Sequence, residues 1–125
     1  MPVAELILGD NRNALAPGEL IRSITLSGKA LRSRTAFRRQ SLTTLGRSAA
    51  LLIGRRDSEF TLTVTAATAR PVVLRFSSVP TETELSQALE AAVPDDLYHR
   101  DVHGSPLWKR HLTRRFAEEI RQELA

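Results

Sequence analysis

The chain has 125 residues, no cysteine, a formal net charge of +4 and an isoelectric point near 10.6. That length supports one modest core, so a single domain over residues 1–125 is expected. The lack of cysteine excludes thiolate catalysis, zinc fingers and iron–sulfur ligation within the chain. No apolar run approaches the ~20 residues that span a bilayer. No basic segment followed by a long apolar one opens the chain, so no signal peptide is expected and a cytoplasmic location is.

Of the eighteen basic residues, all but Lys29 and Lys109 are arginine. Arginine suits phosphate and carboxylate recognition because its planar fork donates paired hydrogen bonds. The basic residues are nevertheless scattered along the chain, and net charge by itself argues for solubility and nonspecific attraction. A stand-alone basic module for nucleic acid or a partner protein is therefore an alternative reading, with nucleic acid not the expected partner.

In chain order, residues 3–8 form a short apolar patch and Asp10-Asn11-Arg12-Asn13 a turn-type cluster. Pro17-Gly18 is turn chemistry. In residues 20–26, Ile24 and Leu26 share one face and Ser23 and Thr25 the other, which predicts a half-buried strand ended by Gly28. Residues 29–34 are polar and basic and predict a loop. Residues 35–43 predict a second strand with Phe37 as its core anchor. After a turn at Gly46, residues 49–53 form the most continuous apolar run and predict a central buried strand. A polar connector follows at residues 55–58. Phe60, Leu62 and Val64 alternate with Thr61, Thr63 and Thr65, and then Val72, Leu74 and Phe76 with Val73 and Arg75, giving two more strands.

After Ser78 the pattern changes to helical. Thr81-Glu82-Thr83-Glu84 is a capping box. Leu85, Ala88, Leu89 and Ala92 form one helical face that Pro94 ends. Ser105-Pro106 places an N-cap before a proline at the first helical position. Trp108, Leu112, Phe116, Ile120 and Leu124 then recur every fourth residue. Short connections favour antiparallel pairing. The expectation is an α+β fold: an antiparallel β-meander of three to five strands, followed by about three helices packed on one face.

Candidate chemistry is sparse. His99, Asp101 and His103 offer two imidazoles and a carboxylate to a metal, but in a polar connector and at no specific motif spacing. Asp101 capping the turn before the last helix is the simpler reading. Gly46-Arg47-Ser48 shares part of a nucleophile elbow, but position 50 is alanine and a strand follows. No spacing supports a Ser-His-Asp set, and no glycine-rich phosphate loop is present. Trp108 belongs to the helical stripe and is expected in the core. Arg38 and Arg39 point to opposite faces of their strand; one of them could meet a phosphate, a carboxylate or a flavin edge.

Three runs carry a resemblance that goes further. Leu15-Ala16-Pro17-Gly18-Glu19-Leu20-Ile21-Arg22-Ser23-Ile24-Thr25-Leu26 resembles the opening of the C-terminal domain in the flavin subunits of molybdenum hydroxylases, the carbon monoxide dehydrogenase and xanthine dehydrogenase family. Ala36-Phe37-Arg38-Arg39-Gln40-Ser41 resembles that domain's next strand. Asp101-Val102-His103-Gly104-Ser105 with Trp108-Lys109-Arg110 resembles its closing motif. The resemblance covers the chain from about residue 6 onward. It implies strands followed by helices, and a role in a subunit that binds FAD and relays electrons between iron–sulfur clusters and an acceptor.

The preceding FAD-binding domain, which supplies most FAD contacts in that family, is not part of this sequence. The implied partners are that domain and the molybdopterin and iron–sulfur subunits. The implied cofactor contacts are Leu20 and Ile21 at the strand start, and Arg38 near the ring system, where a cation favours a reduced, anionic flavin. Alone, the chain is not expected to be catalytic. Residues 42–48 depart from the family, many of whose members carry charge there.

Overall fold

The computed structural model describes residues 1–125, the side chain of Ala4 excepted. It is an α+β structure. A short helical turn α1 (Val3–Leu6) leads into a small hairpin of β1 (Ile7–Gly9) and β2 (Arg12–Asn13). A further helical turn, α2 (Gly28–Leu31), precedes a four-stranded antiparallel meander of β3 (Arg34–Ser41), β4 (Ser48–Arg56), β5 (Phe60–Thr65) and β6 (Val72–Phe76), paired in chain order. Helix α3 (Glu82–Ala92), one 3-10 turn (Asp95–Leu97) and helix α4 (Pro106–Glu123) follow.

The helical signals hold residue by residue. The Thr81 hydroxyl accepts from Glu84 N at 3.2 Å, and Glu84 Oε2 accepts from Thr81 N at 2.7 Å. Such a cap is worth about 1 kcal/mol. Ser105 caps α4 by accepting from Trp108 N, with Pro106 beside it. The stripe Leu112, Phe116, Ile120 and Leu124 is buried, and Trp108 packs half-buried at its start. Opposite it lie Leu52, Phe60, Leu62 and Val64, all fully buried. Both helices thus cover one sheet face, as period-two alternation on the strands and a single stripe on each helix require.

Phe37 is a correction. It is 64% exposed, whereas its neighbour Ala36 is buried. Strand alternation lets only one parity face α4, and the register explains the choice. Ala36 pairs with Gly54, and a Cβ on Gly54 would overlap Ile120 of α4. The helix approaches the sheet so closely here that only small residues fit beneath it, and Phe37 is turned outward. Ile53, which pairs with Phe37, is turned outward too. In register, Phe37, Ile53, Thr63 and Val73 form one cross-strand row on the outer face.

The expected strand over residues 20–26 is a second correction. This segment has no strand partner, and Leu20 (77%), Ile21, Ile24 and Leu26 are all exposed. Alternation prepares a segment for pairing, but a strand exists only where another supplies its ladder. Residues 29–34 differ as well: the Ser27 hydroxyl accepts from Ala30 N at 3.1 Å and caps the single turn of α2. Arg55 and Arg56 belong to β4, so the connector shrinks to residues 57–59, closed by Asp57 N donating to Glu59 O.

A basic cleft at the end of the sheet

The β5–β6 connection is held by the chain that follows α3. His99 N donates to Ala67 O at 2.9 Å, Ala69 N donates to Leu97 O at 3.0 Å, and Thr68 bridges Tyr98. These bonds bring residues 99–103 beside residues 66–71. The β3–β4 connection and the β1–β2 hairpin complete a cleft of about 770 Å³. Into it face Arg39, Arg47 and Ser48 from the β3–β4 side, Arg70 from the β5–β6 loop, Asp10 from the hairpin, and His99, Asp101 and His103 from the last connector.

Arg39 is braced. Its Nε donates to Ser48 Oγ at 2.7 Å, and a terminal nitrogen donates to Gly46 O. Ser48, the hydroxyl in the elbow-like run, is therefore a brace at the first position of a strand and not a serine on a strand-to-helix turn. Asp101 Oδ1 accepts from His103 N at 2.8 Å, and residues 101 and 104 bridge, so Asp101 does close the turn before α4. Its Oδ2 lies 2.9 Å from Lys109 Nζ and 3.9 Å from His99 Nε2. Lys109 is wholly buried, and beyond that ion pair its ammonium finds no hydrogen-bond acceptor among the described residues. Partial burial pushes the Asp101 carboxyl upward, but the Lys109 ammonium and the His103 N–H outweigh it and hold the group below the ordinary carboxylate value. Among the described residues, no group of three or more His, Cys, Asp or Glu is arranged to hold a metal ion.

Arg38 lies on the other face of β3, toward α4. Its Nε donates to Glu119 Oε2 at 2.8 Å and an Nη donates to Glu123 Oε2 at 2.7 Å. Hydrogen bonds to Glu123 and then Glu119 raise its pKa further. The arginines of α4 are also matched: Arg110 with Asp95, Arg114 with Glu90, Arg115 with Glu119 and Arg121 with Glu118. Leu20 lies exposed on the unpaired segment. Ile21 lines a separate apolar hollow of about 470 Å³ with Val3, Leu6, Leu15 and Ile24. Leu20, Ile21 and Arg38 thus occupy places outside the cleft.

The cleft's own residues were scattered in sequence. Arg39 was paired with Arg38 only as a strand alternate, and Arg70 carried no signal. The Asp101–Lys109 pair spans the N-cap of α4, where no periodicity links the two. Residues 42–48, unexplained by patterning, form the wall that presents Arg47. No protein-family model, curated protein or solved structure matches the chain.

Proposed function

We propose that this chain is the domain that closes over a flavin held mainly by another domain, in the FAD-binding subunit of a molybdenum-hydroxylase-type oxidoreductase. In this reading the full subunit relays electrons between iron–sulfur clusters and an acceptor. It works beside molybdopterin and iron–sulfur subunits in the cytoplasm, and the chain alone is not catalytic. The observation that supports it is the uncovered apolar segment, residues 20–26. It carries Leu20 and Ile21, the positions that the resemblance assigns to FAD, and four large apolar side chains there stand in solvent with no backbone ladder. Such a segment suits a surface completed by a second domain. The order of strands then helices also agrees with the resemblance. Among the described residues, no helix is long and apolar enough to cross a membrane.

Arg38 fits this reading only if its guanidinium exchanges Glu119 and Glu123 for the flavin. Leu20 and Ile21 therefore carry more of it than Arg38 does. The alternative, a stand-alone basic module for nucleic acid or a partner protein, is weakened by the pairing of the α4 arginines with carboxylates.

The test is FAD fluorescence quenching, with the chain alone and with a co-expressed FAD-binding domain from that family. The expected result is no stoichiometric binding alone, a co-purifying pair that retains flavin, and loss of flavin in Leu20→Ser and Ile21→Ser. Tight stoichiometric binding by the chain alone, or failure of the two to associate, would overturn the proposal.

A further inference from the structure

The charges in the cleft do not cancel. Asp101, which would repel an anion, is already neutralised by the buried Lys109 ammonium at 2.9 Å. Asp10 on the hairpin is the other carboxylate there. Against it stand Arg39 and Arg47 from the β3–β4 side and Arg70 from the β5–β6 connection, all lining one concavity. Arg39 is fixed by Ser48 Oγ and Gly46 O. Arg47 and Arg70 are exposed, and their guanidinium groups have no salt-bridge partner among the described residues.

The arginines of α4 are paired with acids, whereas the three cleft arginines converge on one concavity with no salt-bridge partner among the described residues. A guanidinium braced by its neighbours keeps a fixed fork, and two exposed ones beside it can close on a tetrahedral anion by bidentate, charge-assisted hydrogen bonds. The volume of about 770 Å³ is that of a small-molecule site. Convergence on one hollow suits a compact ligand better than a nucleic-acid backbone, which needs a basic track along a face.

We infer that the cleft binds a phosphate-bearing small molecule, gripped by Arg39, Arg47 and Arg70. The inference does not depend on the flavin reading, since Leu20, Ile21 and Arg38 do not line this cleft.

The experiment is isothermal titration of the full chain with inorganic phosphate, with adenosine monophosphate and with adenosine, at low and high salt. Saturable one-site binding of either phosphate-containing probe, but not of adenosine, is expected. Phosphate alone sufficing identifies a free anion site, and tighter binding of the monophosphate identifies a phosphorylated metabolite. Arg47→Gln and Arg70→Gln should each weaken binding about tenfold or more. Arg75→Gln, which removes an exposed arginine from the outer sheet face, should leave it unchanged. Circular dichroism checks that each variant remains folded. The inference is overturned if neither phosphate-containing probe saturates, if Arg75→Gln weakens binding as much as the cleft variants, or if a single-stranded oligonucleotide binds far more tightly with a steep salt dependence.

Discussion

Lys109 Nζ and Asp101 Oδ2 stand 2.9 Å apart, with the lysine wholly inside the fold and the aspartate on the wall of the cleft. The two ends of this pair are unequal. Asp101→Asn would leave an uncompensated buried ammonium and should cost about 3 kcal/mol in urea denaturation. Lys109→Met should cost less, about 1 kcal/mol, because the partly exposed carboxylate can rehydrate while the aliphatic chain keeps its packing. The folded Asp101 carboxyl is held below its ordinary value. Its stabilising contribution is therefore full above the ordinary carboxylate range and lost as the pH falls through the folded value. Asp101→Asn should remove that part of the acid dependence. Equal costs for the two substitutions would show that the pair is not organised this way.

The close seating of α4 on the sheet rests on Gly54. A Cβ there would overlap Ile120 Cγ2 and come within 3.0 Å of Leu124 Cδ1. Gly54→Ala should lower stability by about 1–3 kcal/mol through overpacking. Gly9→Ala, where the nearest atoms would be 3.9 Å away, should change stability by less than about 0.5 kcal/mol. Thermal melts of the two variants make the comparison.

Arg38 separates a structural from a cofactor role. In the isolated chain, Arg38→Gln should cost no more than about 1 kcal/mol, since the arginine and both its carboxylates are partly solvated. The loss should shrink at high salt. A chemical-denaturation series at two ionic strengths reads this out. A loss that salt leaves unchanged would count against the Glu119 and Glu123 contacts as its cause.

Asp57 joins α2 to the β4–β5 turn. It accepts from Glu59 N at 3.0 Å and from Ser33 Oγ at 3.2 Å, with Lys29 and Arg55 beside it. The Glu59 N–H leads in drawing its pKa from 3.8 to about 2; burial opposes the shift, while Ser33, Lys29 and Arg55 add to it. A depressed folded value means the contribution is present above about 3.8 and lost as the pH falls toward about 2. Asp57→Asn should flatten the stability profile in that window. An unchanged acid limb would contradict the assignment.

Residues 20–26 should exchange their amide hydrogens among the fastest in the chain, because no strand pairs with them. Ile24→Ser should change stability by less than about 0.5 kcal/mol, whereas Phe60→Ala should cost about 3–5 kcal/mol. Slow exchange across this segment in the isolated chain would mean that it finds a partner strand in solution.

The helices were legible because caps and stripes are local signals: Thr81, Glu84, Ser105 and the Leu112-to-Leu124 stripe each specify their own position. The meander was legible through Phe60, Leu62 and Val64, which alternate with threonines and are all fully buried. Phe37 was not. Which parity of β3 faces inward depends on Gly54 and Ile120, far away in sequence. Residues 20–26 looked like a strand because alternation reports a capacity for pairing and not the presence of a neighbour. The cleft was least legible of all. Its arginines come from strand β3 and two separate connections, and its walls meet only through sheet pairing and the hydrogen bonds of residues 97–99 to residues 67–69.

The sheet pairs strand by strand as the chain advances and is complete at Phe76, yet the face of β4 that holds Leu52 is covered only when α4 arrives. Arg56 then donates to Leu124 O at 2.6 Å, and Arg34 to Glu123 O at 3.2 Å. During synthesis on the ribosome, a finished meander would therefore wait with its apolar side bare until residue 124 has emerged. That interval is when the nascent chain is most exposed to misassociation and most in need of a chaperone's shelter.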